Sequence, residues 1–175
     1  MQYIIDSFPI AVCNNIIISN CKILRVKKWR GYTASMRNYF YGVKVQLITT
    51  KDGIHIAFHF TPGKTADAKA LRKMINKLPV EASIYGDSAY LDYSLEDAAF
   101  ERKGIFITIQ RKSNSKRIDN LKQKKEKLKI RKSVETTISN IKKLFPRTIY
   151  AVTLNGFLIK LTLFVIGLQL SKFLT

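Results

Sequence analysis

The sequence predicts an α/β fold: a mixed β-sheet flanked by helices, with a helical C-terminal third. Within residues 39–48, polar residues at 44 and 46 alternate with apolar ones at 43, 45 and 47, a period of two that is typical of a strand. Residues 65–78 instead place apolar side chains three and four positions apart, which indicates a helix. Short apolar runs then alternate with helical segments. At 175 residues and 46% hydrophobic content, the chain is expected to bury one domain-sized core.

The N-terminal half is predicted to consist mainly of strands. Residues 3–5 form a short apolar run, and residues 16–18 form a second one ahead of a basic stretch. The tripeptide KDG at 51–53 is typical of a hairpin turn. Residues 39–48 and 54–60 are therefore predicted to pair as antiparallel strands.

The C-terminal half is predicted to alternate helices with short strands. The first helix has Thr65 or Asp67 as its N-cap and Pro79 just beyond its end. Gly104 is a typical stop for the second helix. The predicted elements are helix 65–78, strand 82–85, helix 93–103, strand 105–109, and helices over about 120–145 and 155–174.

The composition points to a polyanionic partner. The sequence has 31 Lys and Arg against 12 Asp and Glu, a formal charge of +19 and a pI near 10.1. Nucleic acid fits this charge best, and an anionic membrane surface is the alternative. Residues 157–174 are apolar, but Lys160, Gln169 and Lys172 interrupt them, which favours a buried helix over a membrane span. The chain opens without a basic signal sequence and has two cysteines, which favours the cytosol.

Three acidic residues stand where a metal-dependent nuclease-type site would need them. Asp6 ends the first apolar run, Asp87 follows the strand over 82–85, and Glu135 lies on a basic helix. If the first and fourth strands are parallel, the two aspartates meet at their carboxyl ends, where open α/β sheets bind ligands. Magnesium prefers oxygen ligands, and two such ions can act on a phosphodiester. Taken singly, Asp6 could be a turn former, Asp87 a helix N-cap and Glu135 a solvated helix residue. Together, on a strongly basic chain, they favour the metal site.

A basic run leads into the helix that carries Glu135. Residues 111–132 contain eleven Lys and Arg against two acids, typical of a solvated face and also of a surface that holds the DNA backbone. The candidate DNA-binding residues of this run are Arg111, Lys112, Lys116, Arg117, Lys122, Lys124 and Lys125. Aromatic residues at 29, 32, 39 and 41 interleave with basic ones, and they could stack on bases or pack in the core.

Other chemistries find little support in the sequence. His55 and His59 share one strand face, but no third ligand accompanies them, so a zinc site is not expected. The chain has no Gly-rich phosphate loop followed by Lys and Ser or Thr, and no Gly-x-Ser-x-Gly nucleophile motif.

Six segments carry a resemblance to a known family. They are IDSFP at 5–9, KWRGY at 28–32, YFYGVK at 39–44, FTPG at 60–63, YGDSAY at 85–90 and VETT at 134–137. With them the chain resembles the catalytic domain of bacterial insertion-sequence transposases of the DDE type, whose fold is RNase H-like. Members of this group carry a Tyr-x2-Arg-x3-Glu-x6-Lys signature, and Arg131, Glu135 and Lys142 fall at its spacings. Leu128 stands in place of the signature tyrosine, and Gln46 stands in place of a strand histidine common in close relatives.

The resemblance implies a transposase that cuts one DNA strand at the element end and joins the freed 3′ hydroxyl to target DNA. It implies Asp6, Asp87 and Glu135 as catalytic ligands of two Mg²⁺ or Mn²⁺ ions. Arg131 and Lys142 would contact phosphate or position Glu135, and their spacing from it puts all three residues on one helix face. DNA is the expected partner, without a membrane; a homodimer assembled on DNA is the candidate oligomer, and the expected location is the cytoplasm, at the nucleoid.

The likeness covers nearly all of residues 1–175. Met1 lies five residues before Asp6, so the chain is expected to be the catalytic domain without the N-terminal DNA-recognition region. Two alternatives stay open. One is a structure-selective nuclease on the same fold, and the other is a catalytically inactive, DNA-binding remnant of a transposase.

Overall fold

The structure is a computed structural model that describes residues 1–33, 37–121, 123–125, 127–130, 136, 139, 143, 145 and 149–171, apart from the side chains of 14–17. The strands are β1 Gln2–Asn14, β2 Arg30–Thr33, β3 Asn38–Thr50, β4 His55–Pro62, β5 Ser83–Gly86 and β6 Phe106–Ile109. The α-helices with defined ends are α1 Asp67–Met74, α2 Tyr93–Lys103 and α3 Leu154–Ser171. Short 3-10 helices cover Asn15–Asn20, Lys27–Trp29, Ile75–Lys77 and Ser88–Tyr90. Positions 121, 123–125 and 127–130 are also helical, and we call them the basic helix.

The six strands form one mixed sheet in the order β2-β3-β1-β5-β6, with β4 also paired to β3. β2 runs antiparallel to β3, whereas β1–β5 and β5–β6 are parallel pairs. Parallel pairs need a crossover, and here α1 lies in the chain between β4 and β5 while α2 connects β5 to β6. The predicted α/β class, a mixed sheet flanked by helices, is confirmed and is consistent with an RNase H-like fold.

The chain divides into two compact units, each described here by itself. Unit 1 comprises Met1–Asp6, Gln46–His59 and Ala66–Ser139, and unit 2 comprises Ser7–Val45, Phe60–Thr65 and Asn140–Thr175. The core of unit 1 lies on one face of its strands, where side chains of β1, β5 and β6 pack with those of α1 and α2. Its largest fully buried members include Ile5, Leu71, Met74, Ile84, Tyr90, Ile105 and Ile109.

Local chemistry explains where the helices of unit 1 begin and end. α2 starts at its N-cap Asp92, whose carboxylate accepts a hydrogen bond from the Leu95 amide at 3.2 Å, and it stops at Gly104 with φ +62°. Its predicted bounds are confirmed. The prediction of Thr65 or Asp67 as the α1 N-cap is wrong, because Ala66 occupies that position without a side-chain cap.

The N-terminal strand is longer than predicted. The apolar run at 3–5 continues through Asp6, so β1 ends only at Asn14. Gly42 explains part of this extension, because a Cβ at that position would lie 2.1 Å from the Ile10 carbonyl oxygen. The second predicted run, residues 16–18, belongs to a 3-10 helix, and β2 was not predicted from the sequence. The close approach of two backbones at Gly42 leaves no signal in side-chain periodicity.

Unit 2 is built around aromatic and aliphatic side chains. Phe8 and Phe145 pack edge to face with ring centroids 5.1 Å apart. One stripe of α3, namely Phe157, Leu161 and Val165, is buried.

The opposite side of α3 is apolar and exposed, with Ile159, Leu163, Ile166 and Leu170 forming a second stripe. The prediction of a buried helix is therefore correct for one stripe of α3 only. By length and composition alone, α3 could cross a membrane, since its 18 residues have a mean hydropathy of 1.6. That is weak evidence, because core helices of soluble proteins pass the same test.

Candidate active site

The parallel pairing of β1 with β5 puts two of the predicted acids side by side. The register pairs Tyr3 with Ile84 and Ile4 with Tyr85. Asp6 and Asp87 each lie two residues beyond the Ile4–Tyr85 pair. Neighbouring strands are about 4.8 Å apart, so the same register, continued past the end of β5, would set the two residues at adjacent positions, and their shared site stays a prediction.

The packing of Gly86 supports the same register. A Cβ at Gly86 would lie 2.9 Å from Cγ2 of Ile5, so the residues that precede the two aspartates are already in contact range. Ile5 belongs to the core of unit 1, and side chains alternate between faces along a strand. Within β1, Asp6 therefore points to the face opposite that core, whereas Asp87 directly follows the last residue of β5. Asp6 is half-buried and Asp87 is exposed.

Asp87 stands at a tight turn that leaves β5. Its carboxylate accepts a hydrogen bond from the Ala89 amide at 3.0 Å, which caps the 3-10 helix Ser88–Tyr90. The plainer interpretation of Asp87 as a helix N-cap is thus also correct. One carboxylate oxygen serves the turn, and this contact orients the Asp87 side chain.

A buried hydrogen-bond chain anchors this turn. Tyr90, at the end of the 3-10 helix, donates from its hydroxyl to Oε1 of Gln46 at 2.6 Å. Gln46 in turn donates from Nε2 to Oδ1 of Asp67 at 2.7 Å, in the first turn of α1. Gln46 is fully buried and Tyr90 is 1% exposed. The residue that departs from the family pattern therefore connects β3, α1 and the turn after Asp87.

The basic helix borders the face of the sheet that carries Asp6. Tyr85 and Thr108 are register partners on that face, and they line a cleft of about 260 Å³ together with Gln123 and Lys127. The Lys127 ammonium also donates to the Ile109 carbonyl at 2.8 Å. The helical segment that precedes Glu135 in sequence thus lies beside the face expected for the third acid. Glu135, Arg131, Lys142 and Lys122 themselves lie outside the described residues.

A second, more open cleft adjoins the turn itself. Its volume is about 590 Å³, and it is lined by Ser88, Gln110, Arg111, Lys112, Ser113 and Asn114. Ser88 directly follows Asp87. The lining is polar and basic, which suits a phosphate-bearing ligand.

Part of the basic run is occupied by internal ion pairs. Arg111 contacts Glu96 at 2.6 Å, and both side chains are about nine-tenths buried. Arg117 reaches the same carboxylate at 3.3 Å, and Lys127 pairs with Asp119 at 2.7 Å. Lys127 belongs to the run that the sequence suggested as a solvated face, but its side chain is only 11% exposed. Removing one partner of such a buried pair leaves an uncompensated charge.

Tyr93 holds the loop between β6 and the basic helix. Its hydroxyl accepts a hydrogen bond from the Lys116 amide at 3.0 Å and pairs with the Ser115 hydroxyl at 2.9 Å. The guanidinium groups of Arg111 and Arg117 lie about 5 Å from its ring centroid. The hydrogen bond with Ser115, outweighing burial, lowers the pKa of Tyr93.

Several predicted DNA-binding side chains are available at the surface. Lys112, Lys116, Lys124 and Lys125 are all exposed, in contrast to Arg111, whose side chain is only 11% exposed. The structure therefore divides the basic run into exposed lysines and residues that stabilise the unit.

Metal ligands can be assessed for the described part of the chain only. There, no three His, Cys, Asp or Glu side chains come together at one point. Asp6 and Asp87 are the two predicted oxygen ligands within that part, and Glu135, the predicted third, is outside it. Burial, followed by the charges of Lys73 and Lys77, lowers the pKa of His59.

Comparison with known families adds an independent finding. The family model for the transposase DDE domain matches residues 2–147, most of the chain and all three predicted acids. The chain belongs to this family. No curated protein matches it. The match to the transposase domain ends before α3, and the family assignment agrees with the sheet order and with the parallel strands that carry Asp6 and Asp87.

Sequence reasoning missed the partners of Glu96 and Gln46 in this transposase domain. In α2 the apolar positions Leu95 and Ala99 mark the buried stripe, and Glu96 beside them carries no sign of its buried ion pair. The polar residue at position 46, inside an otherwise apolar strand, was the one available signal for a buried hydrogen-bond partner.

Proposed function

We propose that this transposase domain performs metal-dependent DNA strand cleavage and strand transfer in the movement of an insertion sequence. The observation that carries the proposal is the parallel β1–β5 register, which supports neighbouring positions for Asp6 and Asp87 on one face of the sheet. Two carboxylates at adjacent strand positions suit a divalent metal, whose ligands are oxygen atoms.

Each residue has a role in this proposal. Asp6 and Asp87 hold Mg²⁺ or Mn²⁺ together with Glu135, which the sequence signature supplies. Bound there, a pair of such ions can lower the pKa of water and stabilise the leaving oxygen of a phosphodiester. Arg131 and Lys142 contact phosphate or orient Glu135. The Asp87 turn stays in place because Tyr90 is tied to Gln46.

The DNA backbone is held by exposed cations on the same unit. Lys112 lines the open cleft beside Ser88, and Lys124 and Lys125 project from the basic helix. Such contacts neutralise phosphates without reading bases, so binding is insensitive to sequence and weakens with salt. Arg111 belongs to the predicted set, but its main contact is Glu96, so its contribution is expected to be indirect.

Metal binding to the native state gives the first test. Mg²⁺ or Mn²⁺ at ten times its dissociation constant should stabilise the domain by about 1.4 kcal/mol. For a chain of this size the melting temperature would rise by roughly 3–6 °C. Asp87→Asn should remove most of this rise. Asp52→Asn is the matched control, because Asp52 is an exposed aspartate in the β3–β4 turn, and it should retain the rise. An equal metal response in wild type and Asp87→Asn would exclude the site.

Strand joining gives the second test. The domain is supplied with metal and a pre-cut DNA end that bears a free 3′ hydroxyl, and joining to a second duplex is measured on a gel. Joined product supports the transposase, and hydrolysis without joining favours the structure-selective nuclease. DNA binding with neither reaction favours the inactive remnant.

A further inference from the structure

The charges of the protein are divided unevenly between the two units. All 12 Asp and Glu residues fall within the ranges of unit 1. The ranges of unit 2 contain Lys and Arg but no acidic residue. A polyanion that approaches unit 2 therefore meets positive charge that no carboxylate of the unit compensates.

Unit 2 also presents aromatic rings on an exposed strand pair. In the antiparallel β2–β3 pair, Tyr32 lies directly opposite Tyr39. The two rings have centroids 4.9 Å apart at an angle of 51°, and the guanidinium of Arg30 lies 4.0 Å from the centroid of Tyr39. Tyr32 is 53% exposed and Tyr39 is 45% exposed. We call these three residues the aromatic face.

The other side of this strand pair is fixed in the unit 2 core. Phe40, whose side chain lies on this opposite face of the strand pair, is buried. It covers Gly31, where a Cβ would lie 2.5 Å from the Phe40 ring. Gly63 lies against the backbone of Trp29, and its amide donates to the Gly42 carbonyl at 3.0 Å. The aromatic face is thus held on a packed backbone, so little conformational entropy is lost when a ligand binds.

Cations flank the aromatic face along the chain. Lys27 and Lys28 are exposed in the 3-10 helix that leads into β2, and Arg37 is exposed just before β3. The Arg30 guanidinium already lies over the Tyr39 ring, as in the cation–π contacts that strengthen base stacking. Exposed aromatic rings with neighbouring cations and no nearby acid in sequence match the chemistry of single-stranded nucleic acid binding.

We propose that the aromatic face binds an unpaired base of DNA by stacking, while Lys27, Lys28 and Arg37 contact the flanking phosphates. An unpaired base offers a free π-face, whereas in a duplex both faces of each base are covered by its neighbours. This deepens the proposed function, because cutting an element end and joining it create strand ends that can expose such bases. The ligand is DNA with a single-stranded end, and an acidic protein partner is the competing outcome.

Binding to two matched DNAs tests the proposal without catalysis. The full chain is titrated in EDTA against a blunt duplex and against the same duplex with a short 3′ overhang that contains 2-aminopurine. Tyr39→Leu should weaken overhang binding by roughly 5- to 150-fold, the equivalent of 1–3 kcal/mol per stacked base. It should change blunt-duplex binding less than about twofold on the same reasoning. Tyr39→Phe keeps the ring and should keep the affinity.

Further variants separate the contributions. The double variant Lys27→Gln, Lys28→Gln should weaken binding to both DNAs. It should also reduce the slope of the salt dependence of binding by about one unit for each lost phosphate contact. Tyr150→Leu removes another exposed tyrosine of unit 2, 81% accessible, and should leave overhang binding unchanged. Wild type and Tyr39→Phe should both quench the 2-aminopurine fluorescence, a readout that stands even where a leucine variant fails to fold.

Three results would overturn the proposal. They are an unquenched 2-aminopurine in the wild-type complex, an equal loss of blunt and overhang binding in Tyr39→Leu, and a Tyr39→Phe variant as weak as Tyr39→Leu. Unchanged DNA binding in the tyrosine variants together with capture of an acidic peptide would favour the protein partner. The binding titrations contain EDTA and need no catalysis. A failure of strand transfer in the separate joining assay would therefore contradict the proposed function and leave the stacking site intact.

Discussion

The hydrogen bond between Tyr90 and Gln46 offers a direct test of the turn that carries Asp87. Tyr90→Phe removes only the hydroxyl and leaves the ring in the core. Oε1 of Gln46 then loses a 2.6 Å hydrogen bond inside a fully buried site. Leaving a buried acceptor unsatisfied costs about 1–3 kcal/mol, more than the roughly 1 kcal/mol net value of an ordinary hydrogen bond. We expect the free energy of unfolding to fall by about 2 kcal/mol.

Urea denaturation and thermal melting measure this loss. For a chain of this size, about 2 kcal/mol corresponds to a decrease of roughly 4–8 °C in the melting temperature. Tyr3→Phe is the matched control: Tyr3 is also buried, but its hydroxyl donates to the weakly accepting sulfur of Met1 at 3.1 Å. That control should lose less than about 0.5 kcal/mol, because a thioether is a weak acceptor.

A double-mutant cycle connects the loss to this pair of residues. Gln46→Met replaces the amide with an apolar side chain of similar length. Combined with Tyr90→Phe, it removes both ends of the hydrogen bond, so the double variant should be less destabilised than the sum of the single variants by about 0.5–3 kcal/mol. Tyr90→Phe should also weaken the metal-induced rise in melting temperature, because the Asp87 turn is less firmly held. Strictly additive effects, or a Tyr90→Phe variant as stable as Tyr3→Phe, would refute the reasoning.

Three further predictions follow from the surface lysines and from the carboxylates around α2. The double variant Lys124→Gln, Lys125→Gln should weaken binding to unrelated DNA sequences alike and reduce the slope of its salt dependence by about two in filter-binding titrations. Lys127→Gln should instead mainly lower the stability of the fold. A loss of binding to one DNA sequence only would contradict phosphate contacts. Burial would raise the pKa of Asp92, but hydrogen bonds hold it below 3.8. The stabilisation of the fold by the Asp92 carboxylate is therefore present above pH 3.8, and it disappears as the pH falls through the lower folded-state pKa. The stability difference between wild type and Asp92→Asn in urea titrations should therefore shrink below pH 3.8, and a constant difference would contradict this. Glu96→Gln should lower the free energy of unfolding by about 3 kcal/mol, because it removes the closer of the two carboxylates that pair with the buried Arg111 guanidinium. A neutral effect by calorimetry would show that the pair is dispensable.

The sequence by itself determined the alternation of strands and helices and the positions of the candidate acids along the chain. Periodicity and end signals are local, so they located α2 with its stop at Gly104. The parallel pairing of the first and fourth predicted strands was only a condition of the predicted site, and the tertiary structure supplied it as the β1–β5 pair. The same local reasoning gave β1 too short an extent and missed β2. Strand length depends on which backbone lies alongside, as at Gly42, and side-chain patterns do not record that.

Only the tertiary structure decided which charged and polar residues are structural. Arg111 and Lys127 belong to a basic run that looks uniformly solvated, yet each is paired with a carboxylate 8 to 15 residues away in sequence. Gln46 looked like a minor departure from the family pattern, and it joins Asp67 and Tyr90 from positions 21 and 44 residues further along the chain. These partners meet because the sheet and helices bring distant segments together. The free energy of a buried polar group depends on that meeting and not on its neighbours in sequence.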